Sequence, residues 1–248
     1  MSNQTDLSRI SVADFAERFR GEMVPLSNTF SYFSALPLAE DEVKEYLEEP
    51  IAALPPAVRK ALPKTSVLLV PYLERAGGKG CDIVCFEAPP DTKLSWAARL
   101  TSDSGAVIAL PTKTLELGDY HYQFYYCIAE IMGEVWSEGA RAKYCGALRE
   151  ELNGRVHGEV DDRAWRLKQA LLRRQTKLRR ETKAFHEYAT QSFIDTLALF
   201  LHGICCDIDV ETGPRQLPSR YLRRRLMLLE ELYPPPEKYS VFPEGANA

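Results

Sequence analysis

Histidine and glutamate side chains on helical segments are the residues of this sequence that could do chemistry. Imidazole and carboxylate groups bind zinc, and a bound zinc ion activates water for hydrolysis. Facing helices of a bundle can bring such side chains together around one metal. The residues that could form such a composite site are His121, Glu130, Glu134, His186 and Glu187. They define one hypothesis, a metal-dependent hydrolase with unorthodox ligands, for which zinc would be the cofactor.

The His186-Glu187 pair resembles the start of a zinc motif but lacks its second imidazole. In the motif His-Glu-x-x-His, the two histidines share one helix face and bind the metal, while the glutamate acts as general base. Here the fifth position is Thr190, and the next histidine is His202. Sixteen helical steps place His202 about 160° away from His186 round the helix. The two imidazoles therefore cannot share a metal without ligands from other segments.

The stretch from about residue 50 to residue 137 carries a resemblance to a known family. It contains, in this order, LPPAVRKALPKTSVLLV, DIVCFEAPP and GAVIALPTKTLELGDYHYQFYYCIAEIMGEVW. This layout resembles that of small zincin-type metallopeptidase domains. The resemblance implies a helix that begins with Leu-Pro and a small mixed sheet, which lead to a helix carrying the zinc motif His-Glu-x-x-His.

The sequence departs from the zincin pattern at the position of the zinc motif. That position reads Ala129-Glu130-Ile131-Met132-Gly133, so the glutamate is present and both imidazoles are missing. A catalytic zinc site generally needs three protein ligands. The resemblance therefore implies a degenerate relative, a non-catalytic binding or regulatory protein with no cofactor. The only weak catalytic candidate is Glu130, and a solvated polar helix face is its alternative role.

The charge is unevenly distributed along the chain, although the formal net charge is only −4. Residues 40–49 carry six acids and one base, whereas residues 163–183 carry nine bases and one acid. At 100° per residue, four bases of the second segment share one face of a helix. These four are Arg166, Arg173, Lys177 and Arg180. This stripe could bind nucleic acid or an acidic partner, and the negative net charge favours a protein partner.

Apolar periodicity predicts an α+β fold with a small mixed sheet of three or four strands. N-terminal helices flank the sheet, and a C-terminal half made of long helices follows it. Apolar runs predict buried strands; these lie at 66–70, 82–86 and 106–110, with a fourth at 94–100. Helical periodicity predicts helices at 40–49, ended by Pro50, at 119–152, with a break near 137–139, at 161–206 and at 220–233.

A single α+β domain over residues 1–248 is the predicted organisation, because neither end is rich enough in strands to fold alone. Its parts are a helical N-terminal part at 1–64, the sheet with the first long helix at 65–152, a helical C-terminal part at 161–233 and a tail at 234–248. The predicted core comprises Val67, Leu69, Ile83, Cys85, Val107, Ala109, Tyr125, Ile128, Met132, Leu171, Phe185, Leu197 and Phe200.

Composition excludes several classes of protein. Hydrophobic residues make up 45% and charged residues 27% of the 248 residues, as in globular domains. No apolar run reaches the ~18 residues that a spanning helix needs, so no membrane association is predicted. The N-terminus lacks an apolar signal segment, and the six cysteines form no disulfide pattern, so a cytoplasmic location is predicted.

Overall fold

The computed structural model describes residues 9–76, 82–102, 105–173, 182–206 and 215–240. It confirms the α+β class. The chain divides into two compact units: unit 1 comprises Met1–Ala52 and Leu62–Cys127, and unit 2 comprises Ala53–Ala61 and Ile128–Ala248. The single-domain organisation stays a prediction, and each unit is described below by itself.

The strands and helices are as follows, over the described residues. The strands are β1 Arg9–Ser11, β2 Val24–Pro25, β3 Phe30–Ser34, β4 Thr65–Val70, β5 Tyr72–Glu74, β6 Ile83–Cys85, β7 Ala98–Ser102 and β8 Gly105–Pro111. The helices are α1 Val12–Arg18, α2 Glu40–Val43, α3 Glu49–Ala52, α4 Pro56–Ala61, α5 Leu117–Val135, α6 Glu138–Asn153, α7 Asp162–Arg173, α8 Lys183–Cys205 and α9 Ser219–Leu232.

Unit 1 is built on a mixed five-stranded sheet with the strand order β2-β3-β4-β8-β7. The apolar run of β4 lies between two parallel neighbours, β3 and β8, as expected for a strand that is buried on both faces. The fourth strand, predicted at 94–100, is confirmed in part, because β7 begins at Ala98 and pairs antiparallel with β8. A second, antiparallel sheet has the order β1-β6-β5, so the predicted strand at 82–86 belongs to this sheet.

The prediction of a wholly helical N-terminal part is wrong for β1, β2 and β3. The sequence of β3, FSYFS, is too short to show strand periodicity on its own, and its backbone pairs with β4, about 35 residues away. Such a pairing depends on the rest of the sheet rather than on local preference. The two additional strands at this edge extend the main sheet to five.

The prediction that Pro50 ends a helix is also wrong. A π-helical segment, Lys44–Glu48, joins α2 to α3, and the Glu49 amide donates to the Lys44 carbonyl. Pro50 is the second residue of α3. The π-helical turn directly precedes the helix that contains the proline, and the chain continues as a helix to Ala52.

The predicted helix at 161–206 is two helices, α7 and α8. The backbone of Thr182 is extended, and its hydroxyl accepts a hydrogen bond from the Phe185 amide, which caps a new helix. The predicted break after the first long helix is confirmed, since Ser137 caps α6 in the same way. In unit 2, α8 packs against α6, α7 and α9.

Most of the predicted core is buried. The exceptions are Ile83 and Val107, which are half-buried, while their neighbours Val84 and Ile108 are fully buried. Val107 shares a strand face with the buried Ala109 and packs against the same hydrophobic core, although it is itself only half-buried. Among the described residues, no helix combines the length and the apolar character that crossing a bilayer requires.

Candidate functional site

A cleft of unit 2 contains several of the residues singled out from the sequence. It has a volume of about 880 Å³ and is formed by α7, α8 and Glu130 of α5. Its lining residues are Glu130, Asp161, Asp162, Arg163, Arg166, Leu167, Lys183, His186, Glu187, Thr190, Gln191 and Ile194. On α8 they recur three or four residues apart, so one face of that helix forms a wall of the cleft.

Both signs of charge line this cleft. Arg166 pairs with Asp162 at 2.5 Å, and Lys183 lies 3.9 Å from Glu187. Asp162 also accepts a contact from Arg215 at 3.2 Å, so the acidic start of α7 is largely neutralised by arginine. Most of these ion pairs are exposed, and exposed pairs contribute little to stability. They leave the cleft with alternating positive and negative groups.

The imidazole of His186 forms a hydrogen bond with an arginine of α6. The guanidinium of Arg141 donates from Nη2 to Nδ1 of His186, at 2.8 Å. Because arginine always donates, Nδ1 accepts and the proton of the neutral ring resides on Nε2. Neither ring nitrogen can then ligate a metal unless this hydrogen bond breaks or the ring loses its remaining proton.

The two histidine positions of the zinc motif are filled by packing. Ala129 is fully buried, and a Cβ added at Gly133 would lie 3.0 Å from Cγ1 of Ile194 and 3.1 Å from its Cδ1. Both contacts are closer than real side chains normally approach. A side chain at position 133 would therefore require the Ile194 side chain to shift, whereas Glu130 lines the cleft.

The candidate metal ligands are not assembled as a set in unit 2. Glu130, His186 and Glu187 line the cleft, whereas Glu134 is exposed on α5. Among the described residues of unit 2, no three His, Cys, Asp or Glu side chains bring ligand atoms within 4.8 Å of one another. His121 belongs to unit 1, where its Nε2 donates to the Glu45 carbonyl at 2.8 Å.

A buried network of charges, invisible in the sequence motifs, holds the helices of unit 2 together. At its centre, Glu159 is contacted by Arg225 at 2.7 Å and by Lys168 at 2.9 Å. Arg225 also pairs with Glu151 at 2.5 Å, and the Tyr188 hydroxyl donates to Glu159 at 2.6 Å. All five side chains are essentially inaccessible to solvent. Two cations thus balance two anions, and hydrogen bonds occupy the carboxylate oxygens.

The pKa of Glu159 records this environment. Burial opposes ionisation of the carboxyl group, but the charge and the hydrogen bonds of Arg225, with further help from Lys168, outweigh burial. The pKa falls to about 2 as a result. Glu159 is therefore an ionised structural group at neutral pH.

Asp195 is a second buried carboxyl group, one turn beyond the cleft-lining Gln191. Its Oδ1 accepts a hydrogen bond from Gln191 at 2.6 Å, and its Oδ2 has no hydrogen-bond partner in the part of the chain that the structure describes. Burial raises the pKa of Asp195 to about 7, and the neighbouring Asp161 and Glu159 charges add to the rise. Among the described residues, no cation forms an ion pair with this carboxyl, and the charge of Arg163 only partly opposes the rise.

The predicted basic stripe is only partly described. Arg166 and Arg173 are exposed on α7, while Lys177 and Arg180 lie outside the described residues. Two bases of the positively charged segments, Lys168 and Arg225, are buried in the network. Part of this positive charge is therefore paired inside unit 2.

Sequence reasoning missed Lys168, Arg225 and Asp195. A signal for the first two exists: each basic residue occupies a position of the apolar stripe of its helix, between Ala164 and Leu171 on α7 and between Leu222 and Leu229 on α9.

Protein-family models, curated proteins and solved structures were all compared with this chain, and none matches it.

Proposed function

We propose that this chain is a non-catalytic binding or regulatory protein on a zincin-like scaffold whose metal positions are filled by packing. The observation that carries the proposal is the contact between Gly133 and Ile194. A Cβ at position 133 would already lie 3.0 Å from the Ile194 side chain, so a histidine there would require that side chain to shift. Ala129, at the first histidine position, is fully buried.

The cleft in unit 2 is the binding surface in this proposal. Its volume of about 880 Å³ lies within the range of ligand-binding pockets. Four carboxylates and three basic side chains line it, so it favours a partner that also carries both charges. A segment of a protein fits this requirement. Nucleic acid fits it less well, because the carboxylates would repel phosphate groups.

Zinc content and peptidase activity together test the proposal. The full chain is purified, incubated with zinc and dialysed, and its zinc is then counted while casein cleavage is followed. We expect no stoichiometric zinc and no cleavage. Stoichiometric zinc that is lost in His121→Ala or His186→Ala would instead support the alternative, a metal-dependent hydrolase. Casein cleavage that Glu130→Gln abolishes would also overturn the proposal.

A pair of glycine substitutions tests the packing argument directly. Gly133 and Gly146 both lie inside helices, but an added Cβ at Gly146 meets nothing within 4 Å. We expect Gly146→Ala to raise the free energy of unfolding by about 1 kcal/mol, the helix-propensity gain. Gly133→Ala is expected to gain nothing or to destabilise, because Ile194 must move. Equal stabilisation by both substitutions, measured by urea unfolding, would show that position 133 has room.

A mobility-shift assay at low salt separates the two kinds of partner. We expect neither duplex DNA nor RNA to be retained by the purified chain. Retention that weakens steeply with salt, and that Arg166→Ala combined with Arg173→Ala removes, would favour the nucleic-acid alternative instead.

A further inference from the structure

A second cavity lies in unit 1, between α1 and the face of the five-stranded sheet that α1 covers. It has a volume of about 490 Å³ and is independent of the cleft in unit 2. The residues that its chemistry depends on are Ala16, Arg20, Ser31, Lys64, Ser66 and Val107. The site that these residues form is called the α1 pocket below.

The α1 pocket continues the hydrophobic core but is built from smaller side chains. Under α1 the core consists of large residues such as Phe15, Leu68 and Val70. Two residues before Leu68 on the same strand face, the sheet carries Ser66, and Ser31 is its neighbour on β3. Ala16 lies opposite on the helix side. Small residues on both sides leave space where the rest of the interface is filled.

Two hydroxyl groups provide a hydrogen-bond donor on the sheet side of the pocket. The Oγ atoms of Ser31 and Ser66 lie 3.2 Å apart and are half-buried. Each hydroxyl has one proton, so a single hydrogen bond between them consumes only one of the two protons. The other proton is available to an acceptor placed in the cavity.

The charges around the pocket favour an anion. Arg20 is paired with Glu17, which cancels both charges. Lys64 lines the cavity too, and its ammonium group forms no ion pair in the described part of the chain. The lining therefore has a net charge of +1 from Lys64. Lys64 comes directly before β4, two residues before Ser66, and both residues line the cavity.

The backbone of β8 also fixes the position of Lys64. Gly105 has a φ of +141°, and a Cβ at this residue would lie 2.3 Å from the Lys64 carbonyl oxygen. Only glycine permits this approach. The Ala106 amide donates to the same carbonyl at 2.8 Å. The base of the lysine side chain is thus held rigidly, and the charged end extends from a defined point.

We propose that the α1 pocket binds a small amphipathic carboxylate, such as a medium-chain fatty acid. The carboxylate accepts hydrogen bonds from the serine pair and from Lys64, and the aliphatic body packs on Ala16, Leu100 and Val107. The pocket is mostly apolar with a few convergent polar groups, as small-molecule sites usually are. A carboxylate is the matching head group, because a hydroxyl donor and an ammonium group both bind it by charge-assisted hydrogen bonds.

Calorimetry with decanoate on the full chain tests the proposal. We expect saturable binding of one decanoate per chain, with weak or no binding of decylamine, which has the same body and the opposite charge. Lys64→Met should weaken decanoate binding by about ten-fold, as expected for the loss of one charge-assisted hydrogen bond. Lys60→Met is the matched control, because Lys60 is an exposed lysine outside the pocket.

Filling the pocket provides a second variant that does not depend on charge. Ala16→Leu places a larger side chain into the cavity and should abolish decanoate binding while the thermal unfolding temperature stays the same or rises. Three outcomes would overturn the proposal: no decanoate binding to the wild-type chain, equal binding of decanoate and decylamine, or unchanged binding in Ala16→Leu. The zinc and peptidase results on unit 2 have no bearing on these outcomes.

Discussion

Two buried carboxyl groups of unit 2 have opposite pKa shifts although both are removed from solvent. Glu159 is surrounded by Arg225, Lys168 and the Tyr188 hydroxyl, and its pKa falls to about 2. Asp195 has only the Gln191 amide on one oxygen, and its pKa rises to about 7. Burial is common to both, so the donors around each group decide its charge. A buried carboxyl group without cationic partners changes its protonation state instead of remaining ionised.

The largest expected effect comes from removing the cation of the paired group. Arg225→Met should lower the free energy of unfolding by about 3–5 kcal/mol, because Glu159 and Glu151 would remain buried without their main counter-charge. Arg224→Met is the matched control, since Arg224 forms an exposed pair with Glu150 and should contribute at most about 1 kcal/mol. Urea unfolding followed by tryptophan fluorescence measures both. Equal effects of the two substitutions would contradict the central role of the network.

Asp195, the carboxyl group without an ion pair among the described residues, should make the folded chain less stable as the pH rises. The pKa of Asp195 is about 7 in the folded chain and about 3.9 when unfolded, so the folded state binds more protons between these values. Its contribution is therefore fully present below about pH 4 and is lost as pH rises to 7. Asp195→Asn should stabilise the chain at pH 8 by roughly 1–3 kcal/mol and have little effect at pH 4. Stabilisation of equal size at both pH values would contradict the assignment.

Glu159 should dominate the loss of the free energy of unfolding at acidic pH. Its pKa is lowered from 4.5 to about 2 on folding, so its contribution is present above about pH 4.5 and is lost as pH falls towards 2. The two carboxyl groups together predict a stability maximum between these two losses, near pH 4–5. Unfolding of the wild-type chain measured from pH 2 to pH 8 locates the maximum. A profile that keeps rising to pH 8 would show that Asp195 is ionised in the folded chain.

The smallest expected effect comes from the neutral donor of the network. Tyr188→Phe removes the hydroxyl that donates to Glu159 at 2.6 Å and should lower the free energy of unfolding by about 1–2 kcal/mol. Tyr221→Phe serves as the control, because the Tyr221 side chain is not part of the network and is more exposed. A loss as large as that of Arg225→Met would mean that the hydroxyl, rather than the charges, sets the stability of the cluster.

Sequence patterns predicted the α+β class because period and run length are local properties. The strands predicted at 66–70 and 106–110 and the helix break predicted near 137–139 follow from residues within a few positions of each other. The strand β3 and the helix break at Thr182 were missed for different reasons. β3 was missed because it depends on pairing with β4. The Thr182 cap is a local signal, but it was missed because it lies within a long pattern that predicts one continuous helix.

The site was less predictable than the fold. The absence of histidines at positions 129 and 133 is visible in the sequence, but the close approach of Gly133 to Ile194 joins residues that are 61 positions apart. The charge of Asp195 depends on side chains from three segments, so no spacing rule could reveal it. Lys168 and Arg225 were the detectable exceptions, since a base in the middle of an apolar stripe indicates a buried ion pair.

Because Lys168 is inaccessible to solvent, chemical labelling of this residue can report local unfolding of unit 2. Its ammonium nitrogen is sealed between Glu159 and the Gly158 carbonyl, whereas lysines such as Lys60 and Lys183 face solvent. An amine-directed reagent such as an N-hydroxysuccinimide ester would therefore label the exposed lysines at once and Lys168 only when α7 detaches from its neighbours. The rate at which the modified Lys168 peptide appears in mass spectra would measure how often unit 2 unfolds transiently under native conditions.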